Sequence, residues 1–567
     1  MGKADRTVEE LVGMIKHNEL RLPEMQRGYV WKAPRVRDLL DSLYRGYPSG
    51  AILVWETDGP VPLRQAAVAQ DAASSSKSML LLDGQQRLTS LASVLNGEPV
   101  TVRGKKRPIE LLFNLEHPDT LQFATEVDEE ADDDEDLDDA DTDDLTQRFR
   151  KMAFIVSTSK LANVPTWVKV TDVFRTEDNT AFIERTGVTN FKDPLFKKYN
   201  DRLNRLREVR RYPYRVDILD SKLSYDEVTE IFVRVNSLGA KLRSSDLAMA
   251  QITARWRNSL KVFEEFQGKC ADKGFPLELG LHIRNLVAFA TGQSRFKTVH
   301  ALDQTALADA WTQSKKGLEF AMSFCKSNAE IDSPALLSSP FFLIALSFAG
   351  HQMDYNLSPR QEADLRYWLL VANAKGRLSR GSSETLLDQD LARLKKGSES
   401  LPALIDSVRT QFGRLDIVPG DLESRNTRSA YFKTMFLAFR QDGAKDWRSN
   451  LKISFAHVGR QHTLQFHHVF PRALLKGHYT SAQINDIANF AFLDGRTNRK
   501  ISVKPPEEYL GKVLAEQGKK ALESQCIPAD LSLLRIDRYP EFLVERRRLI
   551  TARLNRFLND AGELHSA

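Results

Sequence analysis

The sequence predicts an α+β protein built of several domains. Three observations carry that expectation. The chain has 567 residues, more than one core organises, and length alone suggests about three to four units. Short apolar runs of strand character alternate with helical spacing through the first 250 residues, after which helical periodicity dominates to about residue 425. Residues 426–540 then return to short strands around a histidine cluster, with five of the eleven histidines between His457 and His478.

Composition narrows the class. Hydrophobic residues make up 42% and charged residues 28%, the balance of a soluble globular chain. The longest apolar run, Phe341 to Ala349, contains a serine and is too short for a bilayer, which needs about 20 residues. No membrane association is expected. Met1 to Arg6 has no apolar core of a secretory signal. Cys270, Cys325 and Cys526 are far apart and form no Cys-x-x-Cys pair, which speaks for a reducing, cytoplasmic setting. The stretch Glu126 to Asp144 holds fourteen acids and no Lys or Arg. Removing those charges from the net +5 leaves the remainder at +19. A basic body with one separable acidic run suits a polyanionic partner; a solvated loop that improves solubility explains the run equally well.

Taken in order, Arg21 to Trp31 is extended in character and broken by Pro23 and Gly28. Val36, Leu39, Leu40 and Leu43 lie on one helical face, and Gly46 and Pro48 end that helix. Ala51 to Trp55 and Met79 to Leu82 read as buried strands. Asp83-Gly84 then turns into a helix marked by Leu88, Leu91, Ala92 and Leu95. Gln85, Gln86 and Arg87 fall in its first turn, where free N–H groups and the positive dipole end favour a phosphate. An Asp-Gly pair before a helix is also an ordinary cap and tight turn.

Thr101 to Leu115 is strand material, and the acidic run after it is expected to be disordered. Tyr199 to Arg211 carries five arginines, a phosphate-facing strip or a solvated helix face. Tyr214 to Leu219 alternates as a strand. Val228, Ile231, Phe232 and Val235 give a helix that ends near Asn236 to Gly239. Residues 251–425 read as a helical connector without chemistry of their own.

In the last domain, Leu464 to Phe466 reads as a strand ending at His467-His468, and Ala491 to Leu493 as a second strand. Asp494-Gly495 makes a turn, and Asn498 falls in the loop or first turn of a following helix. Strand, loop, strand and helix, with histidine on the first strand and asparagine on the helix, is the ββα-metal arrangement.

Residues 20–55, the Asp83 to Arg87 box and the Phe232 to Gly239 segment together resemble the ParB-like N-terminal domain of GmrS-type proteins. Residues 460–510 resemble the HNH-type domain of GmrD. One chain carrying both is similar to the fused GmrSD-like modification-dependent restriction endonucleases, relatives of BrxU and SspE. That resemblance implies three domains. Residues 1–250 would form a ParB-like α/β domain that binds nucleotide and senses DNA, with the disordered acidic insertion at 126–144. Residues 251–425 would be the connector, and residues 426–567 an HNH nuclease domain closed by a basic helix.

The family's nucleotide box maps onto Asp83, Gly84, Gln85, Gln86 and Arg87, and the resemblance implies binding and hydrolysis of a nucleoside triphosphate, whether GTP, ATP or another. Gln26, Arg27, Tyr29 and Trp31 match the family's Gln-Arg-x-Tyr-x-Trp segment. The first two are expected at the nucleotide, and Tyr29 and Trp31 at the nucleotide or at modified DNA, with core packing as their alternative. Asn236 sits in the second box and is expected near the nucleotide.

In the nuclease domain, His468 is expected to be the general base, because an imidazole takes a proton from water at neutral pH. His467 stands in a slot that many such nucleases fill with Asp. It is expected to hold a divalent metal, Mg2+ or Mn2+, together with Asn498. Asn489 is expected to orient His468 or brace the loop. Arg496, Arg499, Lys500 and Lys504 are expected to hold neighbouring phosphates. The expected partner is double-stranded DNA, modified or of phage origin, with a homo-oligomer or other defence proteins as further partners. Two alternatives stand beside this: a nucleotide-dependent DNA-binding switch with an inactive nuclease module, and an RNA-directed nuclease.

Overall fold

The computed structural model describes residues 2–23, 31–57, 63–64, 78–102, 107–118, 142–238, 244–379, 381–397, 400–455, 464–528 and 530–566. They form two compact units, Met1–Leu260 and Lys261–Ala567. No helix among the described residues is long and apolar enough to cross a membrane.

The first unit contains β1 (Gly2–Thr7), β2 (Leu20–Pro23), β3 (Ile52–Thr57), β4 (Leu63–Arg64), β5 (Ser78–Asp83), β6 (Leu111–Asn114), β7 (Phe154–Val156), β8 (Trp167–Lys169) and β9 (Pro213–Leu219). Six of them make a mixed sheet in the order β1-β9-β3-β5-β2-β4, and the other three an antiparallel sheet β7-β6-β8. In the large sheet β3 runs parallel to β9 and antiparallel to β5.

Alternation along the central strands explains why they read as continuous apolar runs. Ile52, Val54 and Leu81 point into one core, with Val36, Leu40, Leu88 and Leu91 from flanking helices. Leu53, Trp55, Leu80 and Leu82 point into the other, with Val228 and Phe232. Both faces are covered, so no position on these strands can be polar without a partner. The helix Ala33–Arg45 ends at Gly46, whose φ of 76° needs no Cβ. The helix Tyr225–Leu238 begins earlier than its apolar spacing suggests.

The strand expected over 101–115 shrinks to β6. The last residues of the acidic run belong to the helix Thr142–Phe149. Its anchor is Leu145, buried with Leu112, Ile155, Leu161 and Trp167. The preceding part of that run, 126–141, lies outside the described residues.

Among its described residues the second unit is helical apart from one hairpin. The helix Phe341–Gln352 is buried from Phe342 to Gly350, so the longest apolar run of the chain is a core helix. It lies against the helix Gln304–Ala329, where a Cβ on Gly317 would meet Ser347 O at 3.0 Å. A buried pair joins Arg377 and Asp390 at 2.7 Å. The helix Pro359–Lys375 packs against the last helix, Tyr539–Ser566. The helical stretch and the histidine-bearing region therefore share one unit. Cys270, Cys325 and Cys526 are free thiols, all buried.

The hairpin consists of β10 (Leu464–His468) and β11 (Phe490–Asp494), antiparallel, with His467 opposite Ala491 and His468 opposite Phe490. The helix Gly495–Ile501 follows at once, capped by Asp494, which accepts from Thr497 N–H at 2.6 Å. The strand takes in both histidines rather than stopping before them.

Candidate functional site

Adjacent residues on a strand face opposite sides, and the two histidines accordingly find different partners. His467 is 3% exposed. Its Nδ1 lies 2.7 Å from Asn498 Oδ1 and its Nε2 3.2 Å from the Tyr509 hydroxyl. The Tyr509 hydroxyl donates its one proton to Val469 O at 2.7 Å. It must then accept from His467, which fixes the proton on Nε2. Burial drives the His467 pKa down to about 4, so the ring is neutral and Nδ1 carries a lone pair. The Asn498 amide stands against that atom within hydrogen-bond distance.

His468 is half-buried and packs on Phe490, with ring centres 4.3 Å apart and planes tilted by 43°. Its Nε2 lies 3.1 Å from Asn485 Oδ1, while the Asn485 amide nitrogen donates to Ser481 Oγ at 3.2 Å. That arrangement puts the ring proton on Nε2 and leaves Nδ1 as the basic atom. Burial, and secondarily the charge of Arg472, lower the His468 pKa, against the bond to Asn485. No hydrogen bond joins His468 to His467, Asn489 or Asn498.

Asn489 is fully buried. It accepts from Phe470 N–H at 2.8 Å and donates to Phe470 O and Ile484 O at 3.2 and 3.0 Å. Its side chain braces the loop after the histidines and touches neither ring. Arg496, Arg499, Lys500 and Lys504 are all exposed, on or just after the short helix, whose opposite side buries Thr497 and Ile501. His478 is exposed; His457 and His462 lie outside the described residues.

Several supporting residues carried no signal in the sequence. Asp446 accepts from Asp494 N–H at 2.9 Å and from Thr497 Oγ1 at 2.8 Å, tying the turn down. Arg546 is fully buried and donates to Ala488 O, Phe490 O and Gln525 O at 2.6, 2.7 and 3.0 Å. Tyr509 and Asn485 set the two tautomers. Each acts across a long sequence separation, so no local spacing marks it. Among the described residues no three His, Cys, Asp or Glu side chains gather.

In the first unit, Asp83 ends β5 and Gly84 turns into the helix Gln85–Leu95 with φ 100° and no side-chain cap. A Cβ on Gly84 would collide with Ile52. Arg87 donates to Asp83 Oδ2 at 3.0 Å, to Ala51 O at 2.7 Å and to Ser49 O. Its guanidinium therefore pins the loop before β3 to this turn. Gly50, with φ 89°, fits because a Cβ would meet Arg87 Nη1 at 2.6 Å. Gln86 accepts from Trp31 N–H at 3.3 Å, and the Trp31 ring packs at the edge of the core. Gln85 is 7% exposed, and its Oε1 has no hydrogen-bond partner among the described residues. Gln26, Arg27 and Tyr29 lie outside the described residues. The backbone of Asn236 is in the helix Tyr225–Leu238, and its side chain lies outside them too.

A six-stranded mixed sheet clad by helices, in a chain that continues into a helical unit with a histidine-bearing hairpin, defines a mixed α/β protein of two units. Within the first unit, residues 8–253 match the family model described as the N-terminal domain of the GmrSD restriction endonuclease. The match spans both the Asp83–Arg87 turn and the Asn236 segment. Over most of the chain it is also similar to the uncharacterized protein MJ0686 of Methanocaldococcus jannaschii. The two are 22% identical over 563 residues, with 90% of this chain and 87% of that protein covered.

Proposed function

We propose that this protein is a metal-dependent DNA endonuclease or nickase of anti-phage defence, regulated by a nucleoside triphosphate and directed at modified or foreign duplex DNA. The observation that carries the reading is the close approach of a neutral imidazole nitrogen and an amide oxygen, His467 Nδ1 and Asn498 Oδ1, where the hairpin meets the short helix. At 2.7 Å they are near the separation of about 3 Å expected for two ligands at right angles on a cation with bonds of about 2.1 Å. A neutral imidazole and an amide oxygen suit Mn2+ or Mg2+, with the nitrogen favouring Mn2+. Such a cation supplies positive charge at the scissile phosphate.

The chain's own residues do the rest. His468 takes the proton of the attacking water on Nδ1, and Asn485 holds the tautomer that makes this possible. Arg496, Arg499, Lys500 and Lys504 hold neighbouring phosphates, a charge contact without sequence preference. Tyr509 keeps the His467 lone pair aimed at Asn498, as outer partners of metal-bound histidines do.

In the first unit the positive end of the helix Gln85–Leu95, at its first turn, forms the phosphate seat. Arg87 keeps that seat in shape by holding Ser49, Ala51 and Asp83. Restriction of DNA is taken from the family model that the N-terminal residues match.

Plasmid cleavage tests the reading. Supercoiled plasmid, with and without base modification, is incubated with the protein, Mn2+ or Mg2+, and ATP or GTP. Nicked or linear product that needs the metal and disappears in His468→Ala supports it. Cleavage that survives His468→Ala overturns it. The near-complete burial of His467 favours one second reading, a DNA-binding switch with an inert nuclease module. DNA binding without cleavage under every condition selects that alternative.

A further inference from the structure

The arginine-rich stretch Tyr199 to Arg211 has no part in either site above, and its side chains divide into two groups. Arg207 is buried and donates to Thr176 O at 2.7 Å and Asn179 Oδ1 at 2.6 Å. Arg210 and Arg211 pair with Glu177 and Glu208. These three serve the fold. Arg202 and Arg205 instead line a cavity of about 400 Å³.

Lys198, Arg202 and Arg205 stand at i, i+4 and i+7 on the helix Pro194–Arg207, so they share one face. Arg45 joins them across the cavity, with Asp201 as the one acid in the lining. Arg45 is already paired with Asp41 at 2.8 Å. The guanidinium of Arg205 lies over the Tyr44 ring at 4.8 Å and also donates to Tyr44 O at 3.1 Å. Arg202 is 5% exposed and donates to Leu115 O at 2.5 Å. The cationic heads are thus positioned by the core rather than left to wander.

The remaining wall is aromatic and polar. The Tyr44 hydroxyl lies 3.0 Å from His117 Nε2, and His117 Nδ1 lies 3.0 Å from Pro118 O. The carbonyl can only accept, so the ring proton is on Nδ1 and Tyr44 donates to Nε2. Tyr47, 37% exposed, stands at the mouth.

We propose that this cavity binds a small phosphorylated ligand of nucleotide size, its phosphate held by Lys198, Arg202 and Arg205 and its planar part set against Tyr47. The volume lies in the usual range for small-molecule sites, about 300–1,000 Å³. Fixed guanidinium groups are the donors that phosphate geometry selects. The cavity shares no lining residue with the Asp83–Arg87 turn or the histidine hairpin, so this inference stands or falls separately from the nuclease reading.

Calorimetric titration of the full chain tests it, with inorganic phosphate and a deoxynucleoside 5′-monophosphate as probes. Both are expected to bind, the monophosphate at least about ten-fold more tightly. Both should weaken at least about ten-fold in the double variant K198A/R205A. Lys198→Ala alone, at an exposed position with no ion pair among the described residues, should weaken both in the same direction. A melting curve like that of the wild type shows that the variants are folded. Absence of binding to the wild type, or equal binding by wild type and variants, overturns the proposal.

Discussion

Two strand-to-helix turns carry the polar clusters of this chain, and they are satisfied in opposite ways. At Asp83–Arg87 the arginine fork is committed to Ser49 O, Ala51 O and Asp83. The helix that follows starts at Gly84 without a side-chain cap. At Asp494–Asn498 the backbone is capped by Asp494, and the Asn498 side chain lies 2.7 Å from His467 Nδ1. Sequence motifs that look alike, a strand ending in Asp-Gly before a helix, thus use their side chains differently: Arg87 ties in the loop before β3, and Asn498 meets a histidine of the hairpin.

The largest expected effect sharpens that contrast at the second turn. His468→Ala should lower metal-dependent plasmid cleavage by about 10²- to 10⁴-fold while leaving the melting temperature close to wild type. An equal loss of cleavage and of folding would reduce His468 to a structural histidine.

Next come the two arginines that support the turns, Arg546 buried and Arg87 partly buried. Arg546→Met strands the carbonyls of Ala488, Phe490 and Gln525 and should cost about 3 kcal/mol or more in the second unit. Arg87→Ala, at a more exposed site, should cost about 2 kcal/mol in the first unit and abolish triphosphate hydrolysis. Denaturant melts of each variant read the stabilities. If Arg87→Ala hydrolyses triphosphate normally, the first turn is a plain structural turn.

A third test compares two buried histidines. Burial pushes both His282 and His467 down to about 4, but among the described residues His282 has no hydrogen bond on either ring nitrogen. Its folded pKa lies below the unfolded value near 6.5, so the unfolded chain takes up the proton first. Its contribution is whole above about pH 7 and is lost as pH falls from 6.5 toward 4, by roughly 3 kcal/mol at 1.36 kcal/mol per unit. Stability measured against pH should therefore fall less steeply over that window in His282→Leu. Parallel curves for variant and wild type contradict the assignment.

The smallest effect concerns Tyr509→Phe. It removes the hydroxyl that fixes the His467 tautomer and should weaken metal binding by about 10- to 100-fold, with little change in plasmid binding. Unchanged metal affinity would show that Tyr509 only packs.

The sequence made the local parts of both sites legible. Runs such as Ala51 to Trp55 and Met79 to Leu82 announced strands buried on both faces. The spacing of Leu88, Leu91 and Leu95 placed Gln85, Gln86 and Arg87 in a first helical turn. The hairpin and the short helix of Asn498 were equally readable from Pro471, Asp494-Gly495 and the apolar runs around them. The supports were not legible. Asn485, Tyr509, Asp446 and Arg546 reach their partners across 17 to 58 residues, and only the folded chain brings them in. Asn489 was marked by its place between the strands, but its bonds go to the loop at Phe470, which no spacing distinguishes from a bond to histidine. Arg87 looked like a donor for a ligand because a sequence does not reveal that a neighbouring loop takes up the fork.

The most direct measurement is a Mn2+ titration of the full chain followed by electron paramagnetic resonance or calorimetry, in wild type, His467→Ala and Asn498→Ala. One Mn2+ per wild-type chain, lost or weakened at least about ten-fold in both variants, is the expected result. Equal Mn2+ binding in all three proteins would contradict the assignment of His467 and Asn498 as the cation's ligands.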